Sequence, residues 1–127
     1  NFGTIVGGSA TGSATINVAG ARTAAGGITL VTGAGLEQQG IITVSGSTGF
    51  AIDLSMSATS FILDNGAGDS MTVDSFNVVV SDGTPTRETI TLGTTTETYS
   101  IGATLRVGIN QPGGTYTGTY GVVANYQ

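Results

Sequence analysis

Residues 50–56 read Phe50-Ala51-Ile52-Asp53-Leu54-Ser55-Met56, with an apolar residue at every second position. Because successive side chains of a β-strand point to opposite faces, this alternation predicts a strand with one face on a core. The polar positions then face outward, so Asp53 is expected to lie in water. The apolar positions are expected to face the core: Phe50, Ile52, Leu54 and Met56.

The same period of two recurs along the chain and predicts an all-β fold of about eight short strands. Further strands are expected at 13–18, 27–32, 42–45 and 105–109. No segment carries a sustained helical stripe, although residues 33–39 could form a single helical turn. Strands of this number separated by Gly, Pro, Asp and Asn turns predict a two-sheet sandwich.

Between residues 71 and 80 the alternation changes phase. Met71 and Val73 share one parity, whereas Phe76 and Val78 share the other. One extra residue near Asp74-Ser75 would keep all four on one face, so the sequence predicts a β-bulge there.

The C-terminal segment is predicted to be the longest and most regular strand, and it carries three of the four tyrosines. Its apolar residues share one parity with two glycines, and we expect this face to line a groove that another chain fills. The residues of this face are Gly114, Tyr116, Gly118, Tyr120, Val122, Ala124 and Tyr126.

Composition restricts the function. The 127 residues suffice for one domain, expected at 1–127, and 39% are apolar while only 9% are charged. A net charge of −5 and the absence of Lys argue against nucleic acid, and no apolar run is long enough to insert into a membrane. Without His or Cys, most catalytic and metal-binding schemes lose their usual groups, so we expect no enzyme, no cofactor and no metal site.

One loop has two interpretations. Asp64-Asn65-Gly66-Ala67-Gly68-Asp69 offers oxygen ligands and glycines, as calcium loops do. It lacks the spacing and the terminal Glu of an EF-hand, and it does not repeat. A polar hairpin turn is the favoured interpretation, and calcium binding stays open.

Short motifs at both ends carry a family resemblance. Tyr126 is the penultimate residue and Gly114 is the fourteenth from the end. Together with the opening Asn1-Phe2-Gly3-Thr4 and with Gly102-Ala103-Thr104-Leu105, they make the chain similar to pilins of the chaperone–usher route. The closest resemblance is to pilin-like domains related to spore coat protein U. Unlike many pilins, this chain has no cysteine and therefore no disulfide.

The resemblance implies an incomplete immunoglobulin-like sandwich that a donor strand from a neighbouring subunit completes. It also implies a periplasmic chaperone, an outer-membrane usher, a homopolymer of identical subunits and a final location on the bacterial cell surface. A donor segment would be expected ahead of Asn1. The acceptor groove is expected to be formed by Phe2, Ile5, Gly114, Tyr116, Tyr120, Val122, Ala124 and Tyr126.

The predicted function is a structural subunit of a bacterial extracellular fibre. Two other interpretations stay open at this stage: a surface or spore-coat protein of the same fold that does not polymerise, and a glycan-binding adhesin module. The adhesin is less favoured because 127 residues leave no room for a separate lectin domain.

Overall fold

The computed structural model describes residues 1–33, 37–78 and 87–127. This part of the chain is all-β and contains no helix, as the alternation predicts. The strands are β1 (Ile5–Val6), β2 (Gly12–Ile16), β3 (Arg22–Gly26), β4 (Thr29–Leu30), β5 (Gly40–Ser45), β6 (Ala51–Met56), β7 (Phe61–Asp64), β8 (Ser70–Val78), β9 (Arg87–Thr91), β10 (Thr96–Val107) and β11 (Val122–Tyr126).

The larger sheet is organised around β10, which has neighbours along both edges. Its order is β3-β2-β10-β8-β7, and β5 also pairs with β10. Along one edge, β5 covers the first half of β10, up to Ile101, and β2 covers the second half, from Ala103. The opposite edge pairs with β8. All these pairings are antiparallel, so β5 and β2 follow one another along the same side of the sheet.

The second layer is built from β11, β6 and β9, in that order, while β1 and β4 form a small separate sheet. Apolar residues from both large sheets meet in one core, which makes the fold a two-sheet antiparallel sandwich. The buried members of this core are Val44, Ile52, Leu54, Met56, Val73, Phe76, Val78, Ile90, Leu92, Tyr99, Ile101, Leu105 and Val107.

The predicted bulge is confirmed. Thr104 pairs with Asp74 and Gly102 pairs with Asn77, so that Ser75 and Phe76 lie opposite the single residue Ala103. Ser75 takes a positive φ of 52°. The extra residue shifts the phase of β8 and brings Val73 and Phe76 to the same core, as the change of parity requires.

The prediction that Asp53 lies in water is wrong. The residue is only 5% exposed, although its alternation with Ile52 and Leu54 puts it on the face away from the apolar core. β6 is the central strand of its sheet, and Asp53 lies directly between Thr89 of β9 and Asn125 of β11. The hydroxyl of Thr89 donates a hydrogen bond to its carboxylate, and such a partner is what a buried charge requires.

The boundaries of several strands also differ from the predictions. Phe50 precedes β6 and is 56% exposed, instead of facing the core, and Ile109 lies beyond the end of β10 and is 59% exposed. The strand predicted at 27–32 is reduced to β4, and β3 was not predicted. The possible helical turn at 33–39 falls partly on 34–36, outside the described residues.

The C-terminal segment is not the longest strand; β10 is, with 12 residues, whereas β11 has 5. Within the described part of the chain, residues 114–121 form no strand and make one isolated bridge, between Thr117 and Asp64 of β7. This segment crosses from the larger sheet to the second layer, and a crossing chain cannot also pair continuously with one neighbour.

Candidate functional site

The backbone of β11 is paired on one side only. β11 is the edge strand of its sheet and pairs with β6. The N–H of Ser57 bonds to the carbonyl of Gly121, and the N–H of Gln127 bonds to the carbonyl of Ala51. Because hydrogen-bonding direction alternates along an antiparallel strand, the odd-numbered residues of β11 bond to β6 and the even-numbered ones point away from it. The groups that no described strand pairs belong to Val122, Ala124 and Tyr126.

The same three residues face the interior of the sandwich but are poorly covered. They lie opposite Met56, Leu54 and Ile52, all of which are buried. Val122 is half-buried against the core, Ala124 is exposed, and Tyr126 is 59% exposed. These inward-facing side chains are exposed to water, so the described residues leave the interior of the sandwich uncovered beside β11.

The hydroxyl groups of two tyrosines in the C-terminal segment reach the two ends of β5. The hydroxyl oxygen of Tyr120 lies 2.9 Å from the position that a β-carbon on Gly40 would take, and that of Tyr126 lies 2.5 Å from the corresponding position on Gly46. The spacing of six residues is the same in both segments. Each hydroxyl group occupies space left by a missing side chain.

Aromatic contacts extend from both tyrosines. Tyr120 packs against Phe61 and Phe76 with centroid distances of 6.1 and 6.2 Å. Tyr126 meets Phe50 edge to face at 6.1 Å. Tyr120 is 46% exposed, so the rings at both ends of the β11 row remain accessible. Such rings offer a large apolar surface to a partner.

Two of the predicted groove residues lie elsewhere. The hydroxyl of Tyr116 donates to the carbonyl of Pro112 and accepts from the side chain of Gln111. Gly114 lies beside Asn65, in the loop between β7 and β8. Both residues belong to the crossing segment, and Tyr116 fixes the turn that begins it.

Phe2 and Ile5 form a separate group at the N-terminus, and both are packed against the core. β1 pairs with β4 alone. The N–H of Val31 bonds to the carbonyl of Thr4, so by alternation the backbone groups of Ile5 point away from β4. β1 thus has a second unpaired edge among the described residues, although it is only two residues long.

The chain matches a family model for a domain of unknown function, DUF4402, over residues 1–126. It belongs to the DUF4402 family. Comparison with curated proteins returns no match to this DUF4402 chain, and comparison with solved structures returns none either.

Residues 120–127 of this DUF4402 domain, which include β11, contain no charged side chain. Arg106 bonds to both carboxylate oxygens of Asp74, and this hydrogen bond holds the pKa of Asp74 below its ordinary value. Arg22 is buried and pairs with Glu37 at 3.6 Å. An uncharged edge lacks the charged side chains with which proteins commonly protect such strands.

The loop between β7 and β8 is the polar hairpin turn that the sequence predicts. The side-chain oxygen of Asn65 accepts hydrogen bonds from the N–H groups of Ala67 and Asp69, and an oxygen of Asp64 accepts from Gly66. Within the described ranges, no group of three acidic side chains is placed to hold a metal ion. Within the same described ranges, no helix is long and apolar enough to span a membrane.

Three residues of the site were missed by the predictions: Gly40, Gly46 and Phe50. The signal for the glycines was present in the sequence, because Gly40 and Gly46 repeat the six-residue spacing of Tyr120 and Tyr126. No rule of periodicity connects two segments so far apart in the chain, so only the fold relates the two spacings.

Proposed function

We propose that this chain is a structural subunit of a bacterial extracellular fibre, in which a strand from a neighbouring copy pairs with β11. The observation that carries the proposal is the β11 row itself: Val122, Ala124 and Tyr126 combine unpaired backbone groups with inward-facing side chains that reach water. The proposal assigns no catalytic role to the chain.

Strand addition uses both properties of this row. The incoming backbone hydrogen-bonds to the outward groups of β11, and its alternate side chains cover the exposed interior. Tyr120 and Tyr126, at the two ends of the row, would lose much of their contact with water. A head-to-tail contact of this kind does not close on itself, so repetition produces a filament.

An unprotected edge is also an aggregation hazard before assembly. The proposal therefore includes a partner that covers β11 until the neighbouring subunit arrives. The resemblance to chaperone–usher pilins suggests a periplasmic chaperone for this step and an outer-membrane usher for export. The finished fibre would lie on the cell surface.

The test replaces one outward N–H of the edge. In Ala124→Pro, the edge loses a donor and gains a ring that blocks pairing, while the neighbouring residues keep their bonds to β6. Ala24→Pro is the matched control. Ala24 is also exposed. The N–H of Asn17 bonds to the carbonyl of Ala21, and the N–H of Gly27 bonds to that of Thr11, so the odd-numbered residues of β3 bond to β2. The N–H of Ala24 therefore points away from β2, toward the edge of β3 that no described strand pairs.

Both variants are to be made in the full-length protein in its native host, and surface material is to be examined by negative-stain electron microscopy and by gel electrophoresis without boiling. We expect thin filaments and detergent-resistant ladders from the wild type and from Ala24→Pro, and neither from Ala124→Pro. Compact particles from the wild type, or filaments from Ala124→Pro, would contradict the proposal. Circular dichroism of the purified chain checks that both variants fold.

A further inference from the structure

β5 presents another edge that no described strand pairs, and the hydroxyls of Tyr120 and Tyr126 reach its two ends. The N–H of Gly46 bonds to the carbonyl of Thr95, so even-numbered residues of β5 bond to β10 and odd-numbered ones point away. The outward groups belong to Ile41, Thr43 and Ser45, and no described strand pairs with them.

The composition of this edge favours pairing with another strand. Residues 40–46 read Gly40-Ile41-Ile42-Thr43-Val44-Ser45-Gly46, with no charge and no proline. Short uncharged segments rich in β-branched residues are the ones that add to other strands when exposed. Ile41 is 51% exposed on the outer face.

The other edges of the larger sheet are less suited. At the edge of β7, Asp64 is bridged by Thr117. β3 ends at Gly26, whose φ of 74° is not extended, and its exposed side chains are small. β5 is therefore the edge of this sheet that combines length, apolar side chains and free backbone groups.

We infer that β5 pairs antiparallel with β5 of a second copy of this chain, in a two-fold contact centred on Thr43. In this register Thr43 meets Thr43 of the second copy, and Ile41 meets its Ser45, so that outward backbone groups face each other throughout. On the inner face, Ile42 meets Val44 of the second copy. Glycines at both ends place no side chain in the way.

A second copy meets no like charge at this position. The chain carries a net charge of −5, so two copies repel each other wherever acidic residues approach. The β5 edge has no charged residue, and in the two-fold register its own apolar residues Ile42 and Val44 face each other, so this contact avoids that repulsion. Self-pairing of β5 does not depend on strand donation to β11.

The test measures self-association of the purified chain by analytical ultracentrifugation over the micromolar to millimolar range. Thr43→Lys places two ammonium groups directly opposite each other across the contact, where like charges destabilise pairing. Thr98→Lys is the matched control, because Thr98 is the direct partner of Thr43 on β10 and is also exposed, but it lies one strand away from the edge.

We expect a reversible wild-type dimer, a dissociation constant raised at least about tenfold by Thr43→Lys, and a change of about threefold or less in Thr98→Lys. In the wild type, amide exchange at Ile41, Thr43 and Ser45 should slow as the concentration rises. A chain that stays monomeric throughout the range would overturn the inference, as would equal effects of the two lysine variants.

The β11 variant separates this contact from strand donation. Ala124→Pro should leave the dimer unchanged, because Ala124 is not part of the β5 contact. Loss of the dimer in Ala124→Pro, with the dimer retained in Thr43→Lys, would assign self-association to β11 and overturn the inference.

Discussion

Arg22 and Arg106 provide a sharp test of how this domain holds its N-terminal segment. The guanidinium of Arg22 donates to the carbonyls of Phe2 at 2.7 Å, Thr4 at 3.3 Å and Val31 at 2.6 Å, and it pairs with Glu37. Its side chain is 5% exposed. The substitution Arg22→Met keeps much of the side-chain volume and removes the positive charge and every hydrogen-bond donor of the guanidinium.

The expected loss of stability follows from the groups that lose their partner in Arg22→Met. Three carbonyls lose a charged donor, and Glu37 loses its counter-charge in a partly buried position. Breaking a buried pair by removing one partner costs about 3–5 kcal/mol. Arg106→Met is the matched control, because the side chain of Arg106 is 52% exposed, and surface pairs such as Arg106–Asp74 contribute about 1 kcal/mol or less.

The assay is urea unfolding followed by circular dichroism. With a slope of about 1–3 kcal/mol per molar urea, Arg22→Met should lower the midpoint by roughly 1–5 M and Arg106→Met by about 1 M or less. Amide exchange at Val31, whose N–H bonds to Thr4, should accelerate in Arg22→Met. Two variants that unfold within about 1 kcal/mol of each other would refute the assignment of Arg22 as the anchor of this segment.

Two further predictions concern a tyrosine and a glycine. Burial, together with the hydrogen bond to Glu97, raises the pKa of Tyr99 to about 12. The folded state therefore favours the protonated phenol. The resulting contribution to the free energy of unfolding is complete below pH 10 and is lost as the pH rises through about 12. Ultraviolet titration should show one late-titrating tyrosine that Tyr99→Phe removes, and an unchanged curve would contradict this. A β-carbon on Gly118 would overlap the carbonyl oxygen of Ile62, whereas one on Gly113 would meet open space. Gly118→Ala should therefore destabilise by about 1–3 kcal/mol in thermal unfolding, with Gly113→Ala near neutral, and equal melting temperatures would count against the packing argument.

The fold class and several of its details were predictable because they depend on neighbours in sequence. Alternation of apolar residues predicted β6, and the change of phase predicted the bulge at Ser75. Both follow from the fact that side chains of a strand alternate between its faces, whichever strands lie beside it.

The errors concern features that depend on neighbours in space. Asp53 has the outward parity expected of an exposed residue, but its position between Thr89 and Asn125 buries it. Phe50 has the parity of the core, but it lies beyond the end of β6. Parity assigns a face, whereas burial depends on what covers that face.

The candidate site shows the same division. Alternation within one segment is enough to put Val122, Ala124 and Tyr126 on one face of a strand, because that relation is local. The packing of the whole domain limits this strand to five residues. It also puts Tyr116 and Gly114 in the crossing segment and brings the tyrosine hydroxyls to Gly40 and Gly46. Strand order and layer contacts bring together residues about 80 positions apart, and no pattern within one segment contains that information.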